Sequence, residues 1–392
     1  MIQKITLFVS IFILSLSVFA NSKLQLMFTQ GMEYSINGEY TEAAKEYRKM
    51  LAIDPLLERA RIELAYILFK SGDYEGARHH FEKVLATVDS INVRLNIKNL
   101  LNQIKQELPQ TNLIIGFISD SNPNQETSSR KVTIGGVEFD LDTLQDKSKN
   151  GYELKINSKI PLNITKKTFI KANIEHTDYS GHNNARSYLS TSYGKHFSID
   201  TNSSITPEIG LHRFIYQSNT LYSGKTTGVN YYKSFNNTTS AELNFQFLEY
   251  KYPDNQYMNG EKKFFTAKLS KLIALNNKFD IQLSYLDSNS TDKTFSYKQP
   301  ELLISNTKEF KGGWTLGLIG KLNRKKYLEE DPFFGVKRED KEKTIELTIL
   351  NSLFDINGLS PKVRFGIINN DSNINLYEFD RSYSKLEFTK EF

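Results

Sequence analysis

Apolar and polar residues alternate one by one through most of the chain that follows Pro109. In one such segment Leu154 and Ile156 interleave with Glu153 and Lys155. A two-residue period places successive side chains on opposite faces of a β-strand, so each segment has one apolar and one polar face. This part of the chain is therefore predicted to form β-sheet rather than helix. The same alternation recurs in segments 167–178, 239–251, 278–288 and 341–352.

The length and number of these segments favour a barrel that crosses a membrane. Many reach 10 to 12 residues, the length with which a tilted strand crosses a bilayer, whereas a soluble sandwich has shorter strands. At about 20 residues per strand and connection, the 282 residues from 111 to 392 accommodate 14 strands. We therefore predict a 14-stranded antiparallel transmembrane β-barrel over residues 109–392. Its strands are predicted at 111–119, 151–161, 167–178, 185–197, 203–215, 222–234, 239–251, 262–273, 278–288, 297–308, 314–326, 341–352, 359–370 and 376–392.

The alternation also assigns side chains to the two faces of the barrel. Ile281 and Leu347 are predicted to face lipid, whereas Gln282 and Thr348 are predicted to face a polar lumen. The predicted lumen mixes both charge signs, which does not favour a channel for a polymer of uniform charge. Its charged residues include Lys155, Lys159, Lys362, Arg364, Glu153, Glu175, Glu242 and Glu346.

The N-terminus has the pattern of an export signal. Lys4 precedes an apolar stretch over residues 5–18, and small residues at Val18 and Ala20 fit the positions that a signal peptidase reads. We predict a signal peptide over residues 1–20. The alternative, a membrane anchor, requires a longer apolar run than this one.

Composition excludes several other classes of protein. The chain has no cysteine, which excludes a disulfide scaffold, a thiolate metal site, a cysteine nucleophile and a lipid-modified cysteine. Only one long apolar run is present, so a bundle of membrane-spanning helices is excluded. The formal net charge of +5 is too small to favour a nucleic-acid partner.

Residues 24–106 repeat with a period of 34 and read as helices. Gly38 aligns with Gly72 and Tyr40 with Tyr74, and four more positions match at the same spacing. This period, with small residues where helices cross, is that of the tetratricopeptide repeat. We predict a short all-α tetratricopeptide solenoid over residues 21–108, made of two repeats and a capping helix. The fold class is thus α+β and multidomain.

The concave face of a short solenoid is a candidate binding surface. The inner face of the first helix in each repeat lines such a groove, and it is here predicted to face a binding partner. An alternative is that some of these side chains pack against the barrel or the capping helix. Neighbouring His79 and His80 point about 100° apart on a helix and do not suffice for a metal site, so no metal or cofactor is predicted. The candidate cargo-binding residues are Phe28, Met32, Arg59, Ile62, Tyr66 and Phe69.

The end of the chain resembles the signal by which outer-membrane barrels are recognised for assembly. Phe392 is a terminal aromatic residue, and Leu386 and Phe388 lie on the same side of the last predicted strand. The resemblance implies the barrel assembly machinery as a partner during insertion.

Several segments resemble the surface lipoprotein assembly modifiers. They are residues 360–392, with "SNINLYEFDRSYSKLEF", residues 331–341, residues 111–124 and "IGGVEFDLD" at 134–142. The order of export signal, tetratricopeptide repeats and 14-stranded barrel is also similar to that family. The resemblance implies an outer-membrane translocator that carries lipoproteins, or related soluble binding proteins, to the cell surface.

Three functions compete at this point. The first is delivery of an exported lipoprotein or secreted protein, with the solenoid receiving cargo in the periplasm. The second is a passive porin-like channel, and the third is a polysaccharide exporter. No spacing of catalytic residues is legible, so we expect no enzyme. The expected location is the outer membrane, in contact with its lipid, with the solenoid in the periplasm.

Overall fold

The computed structural model describes residues 22–134, 136–141, 147–163, 167–180, 185–351, 353–354 and 359–389. The predicted signal peptide over residues 1–20 lies outside the described residues. Among the helices that the structure describes, none is long and apolar enough to cross a membrane.

Five α-helices form the N-terminal unit, as the 34-residue period predicts. Asp73 accepts a hydrogen bond from the Gly76 amide at the start of the fourth helix, and Ser90 caps the fifth through the Val93 amide. Gly72 ends the third helix with φ +86°, a conformation that glycine adopts at low cost. The helices are α1 (Ser22–Ile36), α2 (Tyr40–Ile53), α3 (Glu58–Ser71), α4 (Tyr74–Thr87) and α5 (Ile91–Glu107).

The positions that repeat in sequence form the core of this solenoid. Tyr47 and Phe81 stand 34 residues apart, and each is 1% exposed. A Cβ on Gly31 would lie 2.9 Å from the Tyr47 ring, so the small residue gives the aromatic ring room to pack between two helices. The periodicity therefore predicted both the repeat and its buried positions.

The rest of the chain forms a barrel of long strands. Fourteen of them form a closed antiparallel ring, and β7 is a two-residue extension that pairs with β8. The strands are β1 (Gln110–Asp120), β2 (Lys131–Ile134), β3 (Val137–Asp140), β4 (Lys149–Asn163), β5 (Thr168–Tyr179), β6 (Arg186–Lys195), β7 (Phe197–Ser198), β8 (Ser203–Tyr216), β9 (Asn219–Ser234), β10 (Thr239–Tyr250), β11 (Gly260–Ala274), β12 (Asn277–Ser290), β13 (Tyr297–Glu309), β14 (Trp314–Glu330), β15 (Lys337–Asn351), β16 (Ser360–Ser372) and β17 (Phe379–Thr389).

The first and last strands close the ring. β1 pairs with β4 on one side and with β17 on the other, from Ile115 opposite Phe388 to Asp120 opposite Tyr383. Each of the 14 predicted segments has its strand, with ends that differ by a few residues. The last predicted segment begins at residue 376, but β17 begins at Phe379 because Asn375–Tyr377 forms a short 3-10 turn.

The predicted faces of the strands agree with the structure. Leu347 is 37% exposed on the outer surface, and Ile281 pairs there with Ile304, which is 40% exposed. Gln282 and Thr348 alternate with these residues and point inward. The outer surface is accordingly apolar, as expected for a barrel surface that contacts lipid.

The connections are unequal at the two ends of the barrel. The end joined to the solenoid, here named the solenoid end, has the tight turn around residues 235–238. The far end has the long connection between β1 and β4, which contains the β2–β3 hairpin. All four residues of β3 are exposed, whereas Val132 on β2 is buried and β2 packs on the Asn375–Tyr377 turn at this end of the barrel.

Candidate functional site: the solenoid–barrel junction and the charged lumen

Glu309, the last residue of β13, joins the barrel to the solenoid. Its carboxylate accepts a hydrogen bond from Arg61 on α3 at 2.7 Å and forms an ion pair with Lys83 on α4. His79 Nε2 lies 3.6 Å from the same carboxylate. Arg61 is fully buried and Lys83 is nearly so, so this contact is shielded from solvent. Two helices are thereby fixed to one point on the barrel rim.

Arg61 is held in place by further contacts inside the solenoid. Its guanidinium donates to the Pro55 carbonyl at 2.6 Å and lies 3.2 Å from Nδ1 of His80. A buried guanidinium that donates to a ring nitrogen requires that ring to be neutral. The Pro55 carbonyl and the His80 ring therefore both position the Arg61 guanidinium that contacts Glu309.

The two neighbouring histidines stay neutral at this junction. Burial lowers the pKa of His79 to about 3, and nearby Lys83 opposes a further positive charge. Burial and the adjacent Arg61 guanidinium hold the pKa of His80 well below its usual range. In the described part of the chain, no three His, Asp or Glu side chains are grouped so that they could hold a metal ion.

The solenoid lies across the opening at its end of the barrel. The α2 helix packs on the Lys311–Gly313 turn between β13 and β14. The α4 helix contacts β11, and α5 contacts β4, which is six strands away around the ring. Arg78 and Glu82 on α4 interact electrostatically with Glu242 and Tyr232, whose side chains line the lumen. The helices therefore span the opening rather than hang beside it.

The predicted cargo-binding residues lie on α1 and α3. Most of them also pack against the solenoid core. The Phe28 ring meets Tyr47 edge-on at 5.9 Å, and the Arg59 guanidinium lies 5.8 Å from the Phe28 ring centre. Ile62, Tyr66 and Phe69 are half-buried against the core, with Phe69 edge-on to Tyr74 at 5.9 Å. Lys70 lies over the Tyr66 ring, and Arg59 pairs with Glu63 at 2.5 Å.

Met32 differs from the other candidates. It is half-buried on α1 and is not among the side chains that pack against the core of the solenoid. The structure thus brings Phe28 and Arg59 together, whereas Met32 is the candidate on α1 that does not pack against the described core.

Charged side chains form a connected network on the lumen wall near the closing strands. Glu153 on β4 accepts from Lys385 on β17 at 2.8 Å, and Glu387 on β17 accepts from Lys362 at 2.8 Å. Arg364 on β16 completes the network, 2.8 Å from Glu346 and 3.3 Å from Glu387.

A glycine makes room for the two buried carboxylates of this network. Gly116 stands opposite both Glu153 and Glu387, and a Cβ there would lie 3.0 Å from the Glu153 Cγ. Both glutamates are almost fully buried. The wall is tightly packed at the closing seam because the smallest residue separates the two larger ones.

Opposite charges pair at other points of the lumen. Lys171 pairs with Glu208, Lys321 with Glu342 at 3.0 Å, and Lys268 lies 3.8 Å from Asp280. The sequence placed the mixed charges in the lumen correctly, and the structure adds that many of them neutralise one another. At these three points the charges of the wall cancel.

The residues of the predicted assembly signal lie at the outer surface of the last strand. Leu386 is 39% exposed and pairs with Phe117, and Phe388 pairs with Ile115. Phe392 lies outside the described residues.

Sequence reasoning did not find the junction. Arg61 and Glu309 are 248 residues apart, and no local pattern connects them. The one available signal is Arg61 itself, because a charged residue between the core residues Ala60 and Leu64 requires a buried partner.

A closed 14-stranded barrel with an apolar exterior, a polar lumen and a tetratricopeptide solenoid across one opening defines an outer-membrane β-barrel protein with a periplasmic repeat domain. The solenoid end is thus periplasmic and the far end extracellular. The chain belongs to the family described as "Surface lipoprotein assembly modifier", whose profile matches residues 110–392, and a tetratricopeptide-repeat profile matches residues 36–95.

The chain is similar to two relatives from one bacterium and to a solved outer-membrane channel. It is 23% identical over 392 residues to "Surface lipoprotein assembly modifier 1" of Haemophilus influenzae (strain ATCC 51907 / DSM 11121 / KW20 / Rd), covering 94% of this chain and 77% of the relative. "Surface lipoprotein assembly modifier 2" of the same strain is 23% identical over 390 residues, with the same coverage. The outer membrane channel DcaP of Acinetobacter baumannii superposes with a TM-score of 0.43 and 8% identity, covering 72% of this chain and 97% of that one.

Proposed function

We propose that this protein helps deliver lipoproteins, or soluble binding proteins related to them, to the cell surface, and that its periplasmic solenoid receives the cargo. Membership of the surface lipoprotein assembly modifier family supports the role in lipoprotein assembly. The observation that carries the receiving step is the position of the solenoid. It is fixed across the periplasmic opening by the buried contact of Arg61 and Lys83 with Glu309.

The position of the solenoid defines the order of events. Cargo that approaches the barrel from the periplasm meets the helices before it meets the lumen. A 14-stranded barrel is wider than small barrels filled by side chains and narrower than 16-stranded porins, so it accommodates an extended chain but not a folded domain. Cargo is therefore held on the solenoid in an unfolded state.

The lumen suits a polypeptide of ordinary composition. Its paired charges, such as Lys171 with Glu208 and Lys321 with Glu342, present no uniform potential to a passing chain. A passive channel for small polar solutes also fits a polar lumen, and it is the second candidate. An exporter of a polysaccharide that carries charges of one sign fits this lumen wall less well.

A site-specific cross-link tests the receiving step. A photoreactive amino acid replaces Met32 in the full chain, which is co-expressed with a surface lipoprotein of the same bacterium, and irradiation is expected to join the two proteins. Leu26, 59% exposed on another face of α1, is the matched control position and should give a much weaker product. Equal cross-linking from both positions, or none from Met32 while the barrel is inserted, would exclude this groove as the receiving surface.

A further inference from the structure

The outer wall of the barrel contains a groove that the proposed function does not use. It has a volume of about 560 Å³ and is formed by β5, β6, β8, β9 and β10. Pockets that bind small molecules commonly measure ~300–1,000 Å³. The floor is apolar and consists of outward-facing Ile174, Leu189 and Leu211, of which Leu211 is 57% exposed.

Two glycines lie in the strands that form this groove, at positions with no room for a side chain. A Cβ on Gly224 would collide with the backbone oxygen of Glu249, and a Cβ on Gly210 would collide with that of Thr191. Strand positions that exclude any side chain mark tight bends in a barrel wall. Both glycines therefore lie where the backbone of a neighbouring strand approaches closely.

Basic residues surround the extracellular edge of the groove. Arg213 and Lys225 line it and are exposed, and Lys251 is held there by two backbone hydrogen bonds with Ser223, at 2.8 and 3.0 Å. Glu249 is the acidic residue among them, 3.0 Å from Lys251 and within electrostatic reach of Lys225. Within the described residues no acidic side chain forms an ion pair with Arg213, so the edge carries a net positive charge of two.

The position of the groove relative to the membrane identifies its occupant. Arg213 lies three residues before the extracellular end of β8, and Ile209, 60% exposed, continues the apolar surface toward the membrane centre. A ligand of this groove must therefore have apolar chains below and anionic groups above. Basic clusters next to a membrane surface attract the phosphates of lipid head groups. We propose that the groove binds the phosphorylated lipid A part of lipopolysaccharide from the outer leaflet, with acyl chain on the floor and phosphate at Arg213 and Lys225.

Binding of lipid A to the purified full chain tests this proposal. Native mass spectrometry with bis-phosphorylated lipid A should show a saturable complex. The double variant Arg213→Gln and Lys225→Gln is expected to weaken it at least tenfold. The matched control is Lys263→Gln with Lys298→Gln, which removes two exposed outward-facing cations on β11 and β13 outside the groove and should leave binding unchanged.

Two outcomes would overturn the proposal. One is equal binding of dephosphorylated lipid A, which would show that the groove binds acyl chains and does not recognise phosphate. The other is an equal loss of binding in the groove variant and in the control variant, which would indicate a general attraction to positive charge. Resistance of the folded barrel to detergent before boiling establishes that each variant is inserted and folded.

Discussion

At the scale of single residues, the molecule depends on a few buried charges that meet across its two domains. Arg61 is fully buried, yet it has a carbonyl, a histidine nitrogen and the Glu309 carboxylate as neighbours. The repeat pattern predicts that position 61 lies in a helix, but it cannot name a partner 248 residues away. The same pattern predicts helices at Phe28 and Arg59, and the structure has them on α1 and α3 with the guanidinium 5.8 Å from the ring centre.

Replacing Glu309 by Gln should loosen the junction. The change leaves the buried Arg61 and Lys83 without a counter-charge, and breaking a buried ion pair typically costs about 3–5 kcal/mol. The expected result is faster cleavage of the folded protein by a protease near Leu108 and Pro109. Glu301→Gln, a lumen-facing change on the same strand, is the control and should leave the cleavage rate as it is. Equal protection of both variants would mean that Glu309 does not hold the solenoid.

Acidification should destabilise the solenoid through its two neutral histidines. Both have a folded-state pKa below the unfolded value of about 6.5, so the unfolded state binds more protons as the pH falls below that value. The contribution of the two neutral histidines to the free energy of unfolding is therefore fully present above about pH 6.5 and is lost as the pH falls below that value. The melting temperature of the solenoid should fall by about 4 °C or more between pH 7 and pH 5, because ~1 kcal/mol corresponds to roughly 4–8 °C for a domain of this size.

The variant that checks the histidine assignment is His80→Gln, whose amide oxygen can accept the hydrogen bond from Arg61 and which does not titrate. Its melting temperature should depend less on pH than that of the wild type. His176→Gln on β5 is the control and should keep the wild-type dependence. An unchanged slope in His80→Gln would contradict the role assigned to this residue.

At the scale of elements, the strands were predictable and their bends were not. Period-two alternation fixes both the existence of a strand and its facing, which is why Leu347 and Thr348 were assigned to the correct sides. The bends at Gly210 and Gly224 depend on how neighbouring strands approach, and a glycine in a strand segment does not reveal that from sequence alone. The sequence therefore did not predict the groove on the outer wall.

Arginine on the lipid face should impair the barrel more than arginine in the lumen. Ile281→Arg and Leu347→Arg each place a charge against lipid and should cost about 2–4 kcal/mol near the membrane midplane. Gln282→Arg and Thr348→Arg, one residue away, point into the polar lumen and should cost much less. The yield of heat-modifiable folded barrel measures the difference. Equal yields from the two pairs would contradict the facing of β12 and β15.

At the scale of the whole molecule, the sequence predicted two domains but not how they meet. The period of 34 and the period of two identify the solenoid and the barrel separately, since each domain has its own core. Their contact joins α2, α3 and α4 to the β13 end and to β11, and side chains from distant parts of the chain make it. That contact turns a barrel with an attached repeat domain into one whose periplasmic opening is covered.

The most direct test of the delivery proposal is the surface exposure of a lipoprotein in cells that have or lack this protein. A surface lipoprotein of the same bacterium is expressed with the full chain, with no chain, or with the Met32→Glu variant, and intact cells are labelled with an antibody to the lipoprotein. The account predicts strong labelling with the full chain, almost none without it, and reduced labelling with the variant although its barrel is inserted. Unchanged labelling in cells that lack the protein, together with a large solute conductance of the purified barrel, would contradict it in favour of a passive channel.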